Sequence, residues 1–327
     1  MPERSTGDRA VEAEGAASTA AGRPSIGLAL GGGAARGFAH IGILKTLLAE
    51  GIKPDVITGT SMGAVVGGCY AAGQIEAFAQ WSLSLTRRRI LRYLDVSLSG
   101  SGLINGMRLA RHLETSLGRT KIETLVIQFA AIATEIDTGH EIWLTRGRLV
   151  EALRASYAMP GVFAPVQVGR RWLVDGALVN PVPVSAARAL GARVVIAVNL
   201  NADLLGRGAT IASFGYEEEE PPVQQQPSSD DRKWARRIGV ERFLRRQVLG
   251  RPGRPGLPTV MIEAYNVMQD RITRARLGGD PPDMMISPRL GGIGLFDFHC
   301  AEEAIELGAE AAKRAMQTIN EAIEALG

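Results

Sequence analysis

Cysteine is nearly missing from this chain of 327 residues: only Cys69 and Cys300 occur, far apart and outside any Cys-x-x-Cys or histidine-rich setting. A disulfide framework and a thiol-based zinc site are thereby excluded, and a reducing compartment fits. A large excess of either charge is also lacking. The net charge of +3 is small for this length, so the total does not call for nucleic acid. No run reaches the roughly 18 to 20 apolar residues of a membrane span, since the stretch from Gly63 to Gly73 is short and built of small residues. The first 23 residues mix both charges with small side chains and lack the apolar h-region of a secretory signal, so they read as a disordered tail. Together these absences place the chain in the cytoplasm, with any membrane contact peripheral and at the inner surface.

What is present is enough apolar material, 46% of residues, for a sizeable core. Ser25 to Leu30 is a continuous apolar run ended by glycines, the pattern of a strand buried on both faces. Phe38, Ile41, Leu44, Leu47 and Leu48 then recur at helical spacing up to Gly51. Pro54-Asp55 opens a strand from Val56 to Thr58, followed by small-residue helix sequence stopped by Gly73. Strand, helix, strand, helix in that order predicts a parallel sheet with covering helices. Further helices are predicted over 75–89, 106–117 after an Asn105 cap, 148–157, 260–277 and from Ala301 onward. Strands are predicted over 126–135, 141–144, 193–200 and 284–287, with a hairpin turning at Gly169-Arg170 and Asp175 just past its end.

Composition changes at Asn201. Residues 217–231 are acidic and proline-rich, a mobile loop or linker, with order predicted to resume near Lys233. From Asp230 to Arg254 nine Arg or Lys face three acids, with Trp234, Val240, Phe243, Leu244 and Val248 at partly helical spacing. Such a segment either lies on an anionic membrane or forms a solvated helix beside the acidic loop. Residues 201–257 therefore read as an insertion between a core at 24–200 and C-terminal elements at 258–327 that complete one domain.

Gly59-Thr60-Ser61-Met62-Gly63 matches Gly-x-Ser-x-Gly between a predicted strand and a predicted helix, the context of a nucleophile elbow. A sharp turn there leaves no room for side chains at Gly59 and Gly63 and projects the Ser61 hydroxyl into a cleft. The alternative is an N-cap serine in a glycine-rich turn. A nucleophilic serine needs a base, and none of the four histidines, His40, His112, His140 and His299, has a persuasive setting. Asp175, delivered by an apolar strand into a Val-Asp-Gly-Ala turn, is the other candidate, because desolvation raises a carboxylate's pKa. Read blandly it is an Asp-Gly turn. An oxyanion also needs fixed donors, and the glycine loop at 31–37, Gly-Gly-Gly-Ala-Ala-Arg-Gly, supplies backbone N–H groups.

These three pieces, with Ala-Ser-Tyr-Ala-Met-Pro-Gly-Val-Phe-Ala-Pro at 155–165, resemble the patatin-like phospholipases over about residues 25 to 200. The likeness is to a compact bacterial member similar to the neuropathy target esterase catalytic domain. The resemblance implies a three-layer α/β/α fold around a mainly parallel sheet. It implies Ser61 as nucleophile and Asp175 as its partner in a Ser-Asp dyad, with Gly32, Gly33 and Ala34 at the oxyanion hole. Ala34 stands where many relatives carry a third glycine. Gly31, Arg36, Gly37, Gly59, Gly63 and Gly176 support loop and elbow, Arg36 either steadying the loop, facing an anionic head group or making a structural salt bridge. The implied substrate is a phospholipid or lysophospholipid, with no cofactor, metal or nucleic acid required. The oligomeric state is not readable.

Three alternatives stand beside this reading. A dinucleotide-binding enzyme shares the strand, glycine loop and helix, but the spacing is Gly-x-Gly-x-x-x-Gly, Asp55 precedes its strand, and Ser61 is left unexplained. An α/β-hydrolase-type esterase would use Ser61, Asp175 and His299 in that order, yet only one strand fits ahead of Val56. A weakly active membrane- or partner-binding protein would keep the fold without turnover.

Overall fold

The computed structural model describes residues 23–93, 102–104, 107–203 and 256–326. The apolar runs become strands β1 (Ile26–Leu30), β2 (Val56–Thr60), β4 (Gln128–Glu135), β9 (Val194–Val198) and β10 (Met284–Ile286), all parallel to their neighbours in the order β10-β9-β1-β2-β4. Antiparallel strands finish the sheet beyond β4: β5 (Glu141–Leu144) and β8 (Arg171–Asp175) both pair with it, and β7 (Val166–Val168) pairs with β8. A short β3 (Gly102–Ile104) pairs with β6 (Gly161–Phe163), a second sheet that the sequence pattern did not announce.

Alternation along the parallel strands feeds two cores. Leu28, Leu30, Ile57 and Phe129 pack under α1 (Ala39–Ala49) and α2 (Met62–Ala71), while Ala29, Val56, Val195 and Ala197 pack on the other face against α7 (Val184–Ala189). A sheet covered on both sides is the three-layer arrangement expected, and it explains the unbroken apolar run of β1. The helices α3 (Ile75–Leu83), α4 (Arg87–Tyr93), α5 (Met107–Leu117), α6 (Leu149–Ser156), α8 (Leu257–Gly279) and α9 (Ala301–Leu326) complete the order.

One predicted helix is two. The expected helix over 75–89 breaks between α3 and α4, where Ser82 and Ser84 turn their hydroxyls back onto the Ala79 and Trp81 carbonyls and the Arg89 N–H bonds Thr86 Oγ1. Hydroxyl groups competing for backbone partners end helices in this way. Arg23, assigned to the tail, makes a two-pronged pair with Asp55 at 2.8 Å. The Asn105 cap, the acidic stretch at 217–231 and the basic segment at 230–254 lie outside the described residues.

α9 seals α1 at backbone contact. A Cβ on Gly42 would run into the Ile305 carbonyl, and one on Gly308 into the Ala39 carbonyl. Glycine at both positions lets the helix axes approach closely enough for Ile41, Leu44, Ala304, Ala311 and Ala312 to be buried together.

Candidate active site

Register brings the site together. β1 and β2 are parallel with Leu30 opposite Gly59, so the glycine loop after β1 and the serine turn after β2 leave the same sheet edge. On β4, Thr60 faces Ile132, and one residue further puts Ser61 level with Ala133. Ala133 is itself paired with Asp175, the last residue of antiparallel β8. β4 therefore sets serine and aspartate at one height, and Ser61 Oγ donates to Asp175 Oδ2 at 2.7 Å.

The turn at Ser61 is strained. Its φ of 55° and ψ of −123° lie in a region that side chains rarely adopt, at a cost of about 1–3 kcal/mol. Gly63 has no room for a Cβ, which would strike the Leu30 carbonyl, and a Cβ on Gly59 would meet the Ala64 backbone. Thr58 and Thr60 pin β2 from below by donating to the Pro183 and Asn180 carbonyls, and Ser156 Oγ on α6 takes the Ser61 N–H at 2.9 Å. The first turn of α2 begins directly behind the hydroxyl and contributes positive potential there.

Asp175 is fully buried. Its Oδ1 accepts from the Ala177 N–H at 2.9 Å, its N–H donates to the Ala158 carbonyl, and its carbonyl accepts from Thr134 Oγ1. Burial pushes its carboxyl up to about 6, against the opposing pull of bonds from Ala177 and Ser61 and of the nearby Tyr265 hydroxyl. Gly176 sits beneath this turn against Ile132.

In the glycine loop, the peptide groups are held one by one. The Gly31 N–H donates to Val198 and the Gly31 carbonyl accepts from His40 Nε2 at 2.8 Å, while the Gly32 N–H donates to the Pro181 carbonyl at 2.9 Å. Gly32, expected among the oxyanion donors, thus has its N–H committed to the protein. The Gly32 carbonyl accepts from Asn201 Nδ2 at 3.3 Å, and the Gly33 carbonyl accepts from the Arg36 N–H. Because carbonyl and N–H are opposed across a trans peptide, these bonds orient the Gly33 and Ala34 N–H groups. Neither N–H finds an acceptor among the described residues. Ala34 takes a left-handed φ of 47°, the strain expected where alanine replaces glycine. The loop approaches the serine closely, since a Cβ built on Gly32 would lie 3.5 Å from both Ser61 Cβ and Ala177 Cβ.

Arg36 is buried rather than facing a ligand: its Nε donates to the Ile293 carbonyl at 2.7 Å and its Nη1 to Asn201 Oδ1 at 3.3 Å. Desolvation lowers its pKa, with Asp203, Glu263 and Asp297 opposing at longer range. Gly37 packs against the Met62 side chain. His40 is fully buried, its pKa pushed down to about 4 by desolvation, so the neutral ring with its proton on Nε2 holds Gly31. His299 takes a bond from Arg87 Nε at 3.2 Å and lies 4.0 Å from Asp297, and neither Ser61 nor Asp175 is among its partners. His40, weighed in the sequence only as a base, holds the loop instead, and Ser156, Asn201, Tyr265 and Gln269 escaped the sequence reading. Only Ser156 carried a signal, the 155–165 segment. Among the described residues no group of three or more His, Cys, Asp or Glu is placed to hold a metal ion. No helix among them is long and apolar enough to cross a membrane.

A cavity of about 480 Å³ opens beside the hairpin that carries Asp175, with Ile136, Pro160, Phe163, Pro165, Val174 and Leu178 among its walls. Phe163 and Leu178 also pack with Met159, Ala177 and Tyr265, and neither Ser61 nor Asp175 lines the cavity.

Comparison with known proteins gives the family. The family model for patatin-like phospholipases matches residues 28–188. An NTE family protein of Mycobacterium tuberculosis is 32% identical, the alignment covering 90% of this chain and 92% of that one. A patatin-like phospholipase domain-containing protein of Caenorhabditis elegans is 36% identical over 54% of this chain and 14% of its own length. Lysophospholipase NTE1 of Saccharomyces cerevisiae is 32% identical over 54% of this chain and 11% of its own. With a matching family model over the strand, loop, elbow and aspartate turn, and a relative aligned almost end to end, the chain belongs to the patatin-like phospholipase family of lipid acyl hydrolases.

Proposed function

We propose that the protein cleaves carboxylic ester bonds of phospholipids or lysophospholipids through a Ser61–Asp175 dyad. The observation that carries this reading is the 2.7 Å bond from Ser61 Oγ to Asp175 Oδ2, made by a strained serine to a fully buried carboxylate. Asp175 takes the hydroxyl proton as Ser61 Oγ attacks the acyl carbonyl carbon. The Gly33 and Ala34 N–H groups hold the oxyanion, each such donor contributing about a hundred- to a thousandfold in rate. The protonated Asp175 then gives its proton to the departing alcohol as the ester C–O bond breaks. Water attacks the acyl-serine as Asp175 accepts its proton, and as the acyl C–O bond to Ser61 breaks Asp175 returns that proton to Ser61 Oγ, releasing the fatty acid and restoring the dyad. The lysophospholipase activity in the yeast relative's name supports this substrate class, and the apolar cavity beside the aspartate hairpin suits an acyl chain.

The test is hydrolysis of lysophosphatidylcholine by the wild type, Ser61→Ala and Asp175→Asn, together with labelling by a fluorophosphonate probe. Both variants are expected to lose about a thousandfold or more in kcat/KM, and labelling is expected to vanish in Ser61→Ala. Undiminished hydrolysis by folded Ser61→Ala would refute the mechanism.

A further inference from the structure

Tyr265 is a phenol at the site of which the reaction just described makes no use. It lies on α8, with 7% of its surface exposed. Its ring packs with Met159 and Ala177, the residue after the Asp175 turn, and the contact between α8 and residues 176–178 fixes that approach. The hydroxyl is buried, short of good hydrogen-bond geometry with any described partner, and within reach of Asp175 and Gln269. The polar side chains that face it are Asp175 and Gln269.

Gln269, one turn further along α8, shows that the helix is anchored to the site. Its Oε1 accepts from Asn201 Nδ2 at 3.0 Å, and the same amide reaches the Gly32 carbonyl. The inner face of α8 therefore touches both halves of the constellation, the glycine loop through Gln269 and Asn201, and the carboxylate through Tyr265.

We infer that Tyr265 is a positioning residue of the Ser61–Asp175 pair, its hydroxyl donating to the Asp175 carboxylate in the ionised state that takes the serine proton. The inference rests on the dyad reading above. Asp175 has the capacity for a third donor, since Oδ1 and Oδ2 each accept one bond and a carboxylate offers about four lone pairs. Burial holds the phenol well above its ordinary pKa, so it keeps its proton and remains a donor throughout the working range. Among the described residues the groups acting on the carboxylate are Ser61 from the elbow, the Ala177 N–H from its own turn and Tyr265 from α8, and no formally charged side chain is among them. With hydrogen-bond donors rather than described ions acting on Asp175, a single hydrogen bond has large leverage on its charge.

Removing that donor disfavours the carboxylate relative to the acid, so the pH at which Asp175 becomes a base must rise. The experiment compares wild type and Tyr265→Phe, measuring fluorophosphonate labelling rate and kcat/KM for a soluble aryl ester between pH 4.5 and 9. The acid limb of Tyr265→Phe is expected to move up by about one pH unit. The rate at pH 6 then falls about fivefold and approaches wild type at pH 8 to 9. Each profile is normalised to its own plateau, so its midpoint is read from the folded fraction alone even when Tyr265→Phe is the less stable protein. A midpoint equal to wild type would overturn the inference and leave Tyr265 as ring packing. Failure of the wild type itself to label at Ser61 would overturn the dyad reading instead, and this inference with it.

Discussion

At the scale of single residues, burial of Asp175 sets the ionisation of the proposed base. A carboxyl ordinarily near 3.8 is raised to about 6, chiefly by desolvation. In the proposed dyad the base is the ionised form, so kcat/KM is expected to rise with pH along an acid limb centred near pH 6. That midpoint resembles an imidazole's, although no histidine bonds to Ser61 or Asp175. Initial rates from pH 4.5 to 8.5 check it, and His299→Gln is expected to leave the limb in place. The same shift sets a stability trend of known sign. Because the folded pKa lies above the unfolded one, this group's contribution to stability is fully present below about pH 4 and is lost as pH rises through 6. Ser61, Asp175 and the loop were legible from residue type and spacing. The raised pKa was legible only in direction, since its size depends on how completely the turn is sealed.

Secondary-structure elements contribute through close approach and register. Gly42 of α1 and Gly308 of α9 face carbonyl groups on the opposite helix. Gly308→Ala is expected to destabilise the protein by about 1–3 kcal/mol through overpacking, although alanine gains about 1 kcal/mol over glycine in helix propensity. Gly278→Ala on α8, where nothing lies within 4 Å of the built Cβ, keeps only the propensity gain and is expected to be neutral or stabilising. Urea unfolding of the two variants side by side separates packing from propensity. Helical periodicity made α1, α5, α6 and α9 readable, whereas the break between α3 and α4 was hidden because serine and threonine occupy helices and helix ends alike. The pairing of β3 with β6 was equally hidden, being a long-range partnership of two three-residue strands.

Taken as one molecule, the protein does not end its core where its motifs end. The family model stops at residue 188, yet β9 pairs with β1, β10 with β9, and α9 covers α1. Arg36 reaches the Ile293 carbonyl, and Asn201 joins Gly32 to Gln269. A chain ending at residue 200 retains every motif residue but loses these supports. It is expected to be insoluble or to lack a cooperative thermal transition, and not to label with a fluorophosphonate; calorimetry and labelling of the shortened chain check this.

Residue identities and spacing were enough to determine the class of sheet, the serine turn, the aspartate turn and the glycine loop, because each obeys a local steric rule. Gly63 must lack a side chain beside the Leu30 carbonyl, and an unbroken apolar strand such as β1 must be covered on both faces. Only the tertiary structure decided which N–H groups remain free and which side chains hold the rest. Gly32, Gly33 and Ala34 look alike in a sequence, but Pro181 takes the Gly32 N–H and leaves the other two open. His40, Asn201, Gln269 and Tyr265 come to the site from positions whose spacing signals nothing. The direction of a peptide group is set by whatever bonds its carbonyl, and those partners lie up to 169 residues away along the chain.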